Sequence, residues 1–301
     1  MVLVDYDPGR RYERPGRPRD EGRAVVPMIR HVVVENYKSL RRVRVELESF
    51  TALVGPNGSG KSNFIDCLAF VQECLSESIE LAFKNRGGIA AVRRRSAGHP
   101  TNIGIGLSMS LPDGRTAHYA FRIAARPGER FVVAQEQCAV WGKSCAADWF
   151  EVRNGEFTAA IRGIRPRVSA DRLALYAASS TDEFRPVYDF LTSMCFYSVV
   201  PSRVRELQTP DPGDRLKRDG SNAAAVLKRL QQDDPTGERY ERLCRLLSMV
   251  VPGLTRVEYR AVGHKETLEF KQDVGQKHPW SFSALSMSDG TLRALGLLLA
   301  V

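Results

Sequence analysis

Eight residues, Gly55-Pro-Asn57-Gly58-Ser59-Gly60-Lys61-Ser62, place glycines, a lysine and a hydroxyl at the spacing G-x-x-x-x-G-K-[ST]. Gly55, Gly58 and Gly60 permit backbone torsions and close approaches that a Cβ would obstruct, so successive amides can turn inward around a phosphate chain. A helix opening at about Gly60 adds its unpaired N-terminal donors and the positive end of its dipole. Lys61 would set a point charge on the β and γ phosphates of a nucleotide, and the Ser62 hydroxyl would ligate Mg²⁺. An apolar run, Phe50 to Val54, precedes this stretch and Asn63-Phe64-Ile65-Asp66-Cys67-Leu68 follows it, the order strand, loop, helix that the chemistry requires.

A second stretch, Ala284-Leu285-Ser286-Met287-Ser288-Asp289-Gly290-Thr291-Leu292-Arg293, precedes an apolar helical run to Val301. Ser288 or Asp289 can cap that helix, and Gly290 leaves backbone amides open to an approaching anion. Taken alone, such a turn is most often just a cap.

The elements that must position these residues follow from periodicity. Ile29 to Tyr37 and Arg42 to Glu48 alternate apolar and polar residues as half-buried strands do and lead into a strand over 50–54. Phe64, Leu68, Val71, Leu75, Ile79 and Phe83 predict one helix from about Gly60 into the eighties, ending near Gly87-Gly88. From 101 to about 162 the pattern is that of antiparallel strands, with hairpin turns at Asp113-Gly114 and Asn154-Gly155. Helical patterns return at about 171–177, 182–194, 221–232 and 236–249, followed by strands at 256–262 and 267–271. The expected organisation is an arm over 1–27, a nucleotide-binding lobe with the antiparallel block over 28–165, and a helical lobe over 166–301. The arm reads as disordered, with six arginines, five acids, four prolines and three glycines.

With 301 residues and 43% hydrophobic content the chain is long enough for a sizeable core. No apolar run reaches the ~20 residues that span a bilayer, and the first residues lack a secretory signal, so the expected location is the cytoplasm, with no membrane partner. The six cysteines, at 67, 74, 138, 145, 195 and 244, form no C-x-x-C pair and argue for reduced thiols rather than zinc or disulfides. A net charge of +9 suits a nucleic-acid partner without establishing one. Locally, Lys84, Arg86, Arg93, Arg94 and Arg95, with no acid among them, form the best candidate contact for a phosphate backbone, beside the plainer reading of a solvated basic loop.

Together the two stretches are similar to the ABC-type ATPases of the RecF, SMC and OLD-nuclease branch. The resemblance rests on Asn36-Tyr37-Lys38-Ser39-Leu40, on Gly55 to Asn63, on Asp219-Gly220-Ser221-Asn222 and on Leu285 to Arg293, and in outline covers residues 29–301. It implies an α/β fold of P-loop NTPase type, a mixed sheet around the helix after the loop (the Walker A helix), an antiparallel β block and a helical lobe. ATP and Mg²⁺ are the implied cofactors, held by Gly55, Asn57, Gly58, Ser59, Gly60, Lys61, Ser62 and Asn63, with Ser62 on the metal. The signature residues Ser288, Asp289, Gly290 and Thr291 of one subunit would cap ATP bound to another, making ATP the glue of a homodimer. The absence of sustained heptads between the two motifs favours the compact RecF-like form over the long coiled coils of SMC proteins.

In this family an acidic strand (Walker B) follows the signature helix and supplies the catalytic carboxylate. No such strand follows here, so the catalytic residue is unassigned, and a chain truncated before that strand, with poor hydrolysis, is expected. Glu136, at the end of Phe131-Val-Val-Ala-Gln-Glu, is the acid weighed as a substitute and set aside for its place in the antiparallel block; Gln135 and Gln137 are equally without context as metal sensors. The leading expectation is a RecF-like ATPase whose relatives act in DNA repair, DNA maintenance or phage defence. The alternatives are a non-hydrolysing nucleotide-dependent module for a partner nuclease or effector, and a truncated fragment.

Overall fold

The computed structural model describes residues 26–95, 102–142, 147–160, 169 and 171–300. The chain is mixed α/β and divides into two compact units, residues 1–194 and 195–301.

In the first unit, strands β1 (Met28–Tyr37) and β2 (Leu40–Glu46) are followed by helices α1 (Lys61–Ser76), α2 (Ile79–Lys84) and α3 (Ile89–Val92). Strands β3 (Ile103–Ser110), β4 (Thr116–Arg126), β5 (Arg130–Trp141), β6 (Ala147–Arg153) and β7 (Glu156–Ala160) come next, then helices α4 (Ala174–Ala178) and α5 (Arg185–Thr192). The strands form one seven-stranded sheet in the order β2-β1-β3-β4-β5-β6-β7, and its pairings are all antiparallel. The antiparallel block expected from the sequence is therefore present. Its turns are those that the residues predict: Gly114 carries φ 81° after Asp113, and Asn154 and Gly155 carry φ 49° and 85°, the left-handed pair of a tight hairpin.

Two local expectations are corrected. The helix expected from Gly60 into the eighties breaks at Glu77-Ser78, because the Ser78 hydroxyl accepts the Leu81 amide at 3.1 Å and starts α2 afresh. The strand expected over 50–54 does not form; Phe50 is 86% and Val54 91% exposed. A strand is held by ladder hydrogen bonds to a neighbour, and no strand among the described residues pairs with this segment.

Helix α1 buries Phe64, Cys67, Leu68, Phe70, Val71, Cys74 and Leu75. Its central ring, Phe70, lies 5.6 Å from Tyr37 of β1 and 5.1 Å from Phe83 of α2, and Phe83 lies 5.2 Å from Phe131 of β5. These tilted pairs tie the helix after the loop to β1 directly and to β5 through Phe83 of α2. Cys67 and Cys74 are buried in this core as expected; Cys138 is buried in the same unit and Cys244 in the second unit, whereas Cys195 is exposed and Cys145 lies outside the described residues.

The second unit holds α6 (Pro201–Arg205), α7 (Ala223–Gln232), α8 (Glu238–Val250), strands β8 (Leu254–Val262), β9 (Lys265–Gln272) and β10 (Trp280–Ser283), a 3-10 turn (Ala284–Ser286) and α9 (Asp289–Ala300). Its sheet, β10-β9-β8, is antiparallel. Leu227, Leu247, Val257, Leu268, Phe270, Leu292 and Leu295 form its core. Strand β10 was not anticipated: four residues with only Trp280 and Phe282 apolar give too short an alternation to register.

Candidate phosphate-binding site

Gly58 and Gly60 adopt φ 81° and 96°, the left-handed torsions that the spacing anticipates. At Gly60 a second constraint applies: a Cβ there would sit 2.9 Å from Leu40 Cδ2 and 3.3 Å from Ser39 Oγ, so the β1–β2 hairpin packs directly against the loop. Asn63 reinforces that contact by donating from Nδ2 to Ser39 Oγ at 2.7 Å. The segment Asn36 to Leu40 thus braces the loop from outside, with Asn36 and Lys38 at φ 56° and 47° shaping the turn.

The loop leads into α1 without a side-chain cap on its first amides and without an acid in its first turn. An uncapped N-terminus of a four-turn helix, with no carboxylate to compete, suits an anion. Lys61 folds back over the loop, donating from Nζ to the carbonyls of Gly55 and Pro56 at 2.8 Å each and to Ser59 Oγ at 3.3 Å. Gly58 faces open space, and Asn57, Ser59 and Ser62 are exposed. The ammonium, a hydroxyl and a row of amides therefore converge on one exposed loop, a donor set that fits a nucleotide's phosphates. Ser62 supplies one hydroxyl for a divalent ion, and no group of three or more His, Cys, Asp or Glu among the described residues could hold a metal, so an ion here would rest on Ser62 and the phosphates.

Behind the loop lies a polar network that sequence reading missed. Asp66, on α1, accepts from Tyr37 Oη at 2.7 Å, Lys38 Nζ at 2.6 Å and Arg86 Nε at 3.0 Å. Arg86 turns its other nitrogens to Glu73 at 2.6 and 3.0 Å and to the Ala82 carbonyl at 2.9 Å. Burial works to raise the Asp66 pKa, but the hydrogen bonds from Lys38 and Tyr37 and the charge of Arg86 outweigh it and hold the carboxyl below its usual range. This removes Arg86 from the five cations, Lys84, Arg86, Arg93, Arg94 and Arg95, offered as a candidate phosphate-backbone contact. The Arg86 side chain is 6% exposed and committed to two carboxylates, while Lys84 and Arg95 remain exposed.

The acid weighed from the sequence, Glu136, is committed to α4. It is wholly buried, accepts from Tyr119 Oη at 3.0 Å and the Leu175 amide at 2.8 Å, and also accepts the Ala174 amide. Burial raises its pKa to about 7 against the lowering effect of those three donors. Because the folded pKa lies above the ordinary 4.5, the folded state holds an extra proton between the two values. Stability is therefore expected to fall as pH rises from about 4.5 to about 7 and to level off above. Urea unfolding at pH 5, 6, 7 and 8 checks this, and Glu136→Gln should flatten that slope. Gln135, for its part, donates to Glu151 Oε1 at 3.1 Å.

In the second unit, Ser288 caps α9, its Oγ accepting the Thr291 amide at 3.2 Å and sharing a 2.9 Å hydrogen bond with the Thr291 hydroxyl. Thr291 is buried, whereas Ser288, Asp289 and Gly290 are exposed. Arg205 orients the turn by pairing with Asp289 and donating to the Met287 carbonyl at 2.9 Å. Nothing local in the sequence marks Arg205, which acts from 84 positions upstream. Asn222, of the Asp219 to Asn222 stretch, is 1% exposed and ties Lys217 N, Asp211 Oδ1 and the Arg215 carbonyl together at 2.8–2.9 Å. It organises the loop before α7. The first amides of that helix are served by Gln208, whose Oε1 accepts from Ala224 at 2.8 Å.

A mixed α/β chain with a braced glycine loop opening a helix defines the class of P-loop nucleotide-binding proteins. Residues 28–94, which carry β1, β2, the loop and α1 to α3, match the family described as RecF/RecN/SMC N terminal domain. The match supports a RecF/SMC-like ABC-type ATPase head. Structural maintenance of chromosomes protein 4 of Caenorhabditis elegans is 48% identical over 63 residues, which are 19% of this chain and 4% of that protein. The Chromosome partition protein Smc of Methanocaldococcus jannaschii is 46% identical over 41 residues, 13% of this chain and 4% of that protein. The chain thus aligns with only a small share of the length of these relatives. Among solved structures, a SmcHead bound to the C-winged helix domain of ScpA is 16% identical with a TM-score of 0.48, covering 91% of this chain and 75% of that one. No helix among the described residues is long and apolar enough to cross a membrane.

Proposed function

We propose that this chain is a cytoplasmic ATP-binding head that holds ATP and Mg²⁺ at Gly55, Asn57, Gly58, Ser59, Gly60, Lys61, Ser62 and Asn63 and self-associates through bound nucleotide. The observation that carries this reading is the uncapped N-terminus of α1, with Lys61 Nζ and the open glycine backbone gathered at its mouth. The bound Mg²⁺ would neutralise phosphate charge; the protein's part is to orient the phosphates with amides and Lys61. Ser288, Asp289, Gly290 and Thr291 of a second copy complete the anion's shell, since donors from one side leave the γ-phosphate half solvated. ATP-driven dimerisation appears in the description of a solved SMC ATPase that is 23% identical over 38% of this chain. DNA repair, DNA maintenance or phage defence is the setting proposed for such a head, with DNA or a partner nuclease or effector as its client.

One observation favours slow turnover. The acids of α1, Asp66 and Glu73, are bound to Lys38 and Arg86, and Glu136 caps α4, so none of the three is free to orient water. The second reading is accordingly a head that uses ATP as glue with little hydrolysis.

Gly290→Asp tests the dimer. A Cβ at Gly290 meets only Ser288 Oγ at 3.8 Å, so a side chain fits, and an aspartate in the first turn of α9 agrees with the helix dipole. Folding should be intact and ATP binding to the monomer unchanged, while self-association driven by Mg-ATP, followed by sedimentation, is lost to charge repulsion. A variant that dimerises with ATP as the parent does would overturn the role given to residues 288–291.

A further inference from the structure

Helix α8 of the second unit has two faces, and the core uses one. Tyr240, Leu243, Cys244, Leu247 and Val251 follow the spacing i, i+3, i+4, i+7, i+11 and pack into the core beside α9 and β8. That stripe already holds the helix to the unit. Nevertheless Leu246, Met249 and Val250 stand near its C-terminal end at 37%, 76% and 59% exposure, and Arg239, Arg242 and Arg245 are exposed in the turns before them. At 3.6 residues per turn, Arg239, Arg242, Leu246, Met249 and Val250 share a strip about 100° wide and about 17 Å long, with Arg245 at its flank. Cations fill the first half of the strip and apolar side chains the second.

These arginines do little for the helix itself. Arg239 lies in the first turn, at the positive end of the dipole, where a cation is disfavoured. Glu238 and Glu241 stand four residues before Arg242 and Arg245, the order that favours pairing along a helix. Neither pair forms: Glu241 accepts from Arg256 of β8 at 3.1 Å, and Arg239, Arg242 and Arg245 make no ion pair among the described residues.

The order of charge and apolar surface selects the occupant. A second copy laid on the same face would set arginine against arginine. A nucleic acid would serve the cations and leave Leu246, Met249 and Val250 in water. A membrane surface calls for an apolar stripe along the length of the helix, flanked by cations, but the long stripe of α8 is spent on the core and its outward apolar residues cover little more than one turn. A helix with carboxylates over the first half and apolar residues over the second satisfies both halves at once.

We infer that the outward face of α8 is the docking surface for an acidic amphipathic helix of a partner protein. Its carboxylates meet Arg239, Arg242 and Arg245, whose guanidinium forks suit bidentate pairing. Its apolar residues cover Leu246, Met249 and Val250, where the unbranched Met249 adapts to the shape it meets. The apolar contact holds the complex and the charges select the partner. No residue of α8 belongs to the phosphate loop or to residues 288–291, so this surface stands apart from the nucleotide reading.

The probe is a phage-displayed library of helical peptides, panned on the full-length chain, with recovered peptides measured by fluorescence anisotropy. The peptides expected carry Asp or Glu in one half and Leu, Ile or Phe at helical spacing in the other. They should bind about tenfold more weakly to the double variant Arg239→Glu with Arg242→Glu, and to Met249→Gln. Both variants should fold, since glutamates at 239 and 242 agree with the helix dipole and Met249 projects into solvent. Lys61→Ala should bind the peptides as the parent does, so failure of the phosphate-loop reading leaves this result untouched. Recovery of no peptide, recovery of peptides without acids, or equal binding by the parent and both variants would each overturn the inference. A DNA duplex or phosphatidylglycerol vesicles that bind the parent and not the variants, with no such difference among the peptides, would overturn it in favour of nucleic acid or a membrane.

Discussion

Lys61→Ala is expected to weaken Mg-ATP binding by about 10- to 150-fold, the worth of one charge-assisted hydrogen bond at about 1.5–3 kcal/mol. The loss should fall on binding rather than folding. In the free protein Lys61 only closes its own loop, through Gly55, Pro56 and Ser59, contacts that are exposed to water. Its removal should leave the melting temperature within a degree or two. The brace that positions the loop does not involve Lys61: Leu40 and Ser39 against Gly60, and Asn63 on Ser39, survive the substitution. Isothermal titration with Mg-ATP, beside a thermal melt of the same samples, separates the two effects. Unchanged affinity with an intact fold would remove the phosphate loop from the proposed function, and any hydrolysis that survives in Lys61→Ala would belong to a contaminant or another site.

Arg86→Ala should produce the largest loss of stability. Its guanidinium joins Asp66 to Glu73 while itself only 6% exposed, and the two carboxylates are 20% and 18% exposed. Asp66 would keep Lys38 and Tyr37, but among the described residues Glu73 would retain only a long contact to Asn85, at 3.5 Å. Breaking a buried pair on one side costs about 3–5 kcal/mol, which for a unit of this size lowers the melting temperature by about 10 °C. The ring of Phe70 loses its cation as well, 5.4 Å away. The effect has a pH signature. With the Asp66 carboxyl held below its ordinary 3.8, the stability it contributes is present above that value and is lost as pH falls through the lower folded pKa. The gap between parent and variant should therefore narrow in acid. A loss under 1 kcal/mol at pH 7 would mean that the network is solvated and contributes nothing, and would return Arg86 to the pool of cations available to a polyanion.

What could be read in advance was local. The glycine loop, its lysine and the hydroxyl after it lie within eight residues, and their chemistry depends on torsions that those residues themselves permit. The hairpins at Asp113-Gly114 and Asn154-Gly155 were legible for the same reason. Ser78 was legible in principle, because a serine ahead of a short apolar helix is a cap signal, but the helical periodicity running through it from Leu75 to Ile79 concealed the break.

What could not be read depends on partners distant in sequence. Arg86 looked like a free cation because its carboxylates stand 20 and 13 positions away. Glu136 looked like a strand-end acid until α4 placed two amides on it from 38 and 39 positions downstream. Gln208 and Arg205 serve the first turns of α7 and α9 from outside those helices. The residues at 50–54 have the composition of a strand, but composition supplies no neighbour, and without a ladder the segment stays unpaired. The sequence alone therefore determined which backbone could wrap an anion and where the hairpins turn, since torsional preference and short-range spacing act within a few residues. Only the tertiary structure decided which charges are spent on holding α1, α4 and α9 in place, because burial and long-range pairing exist only once the chain is folded.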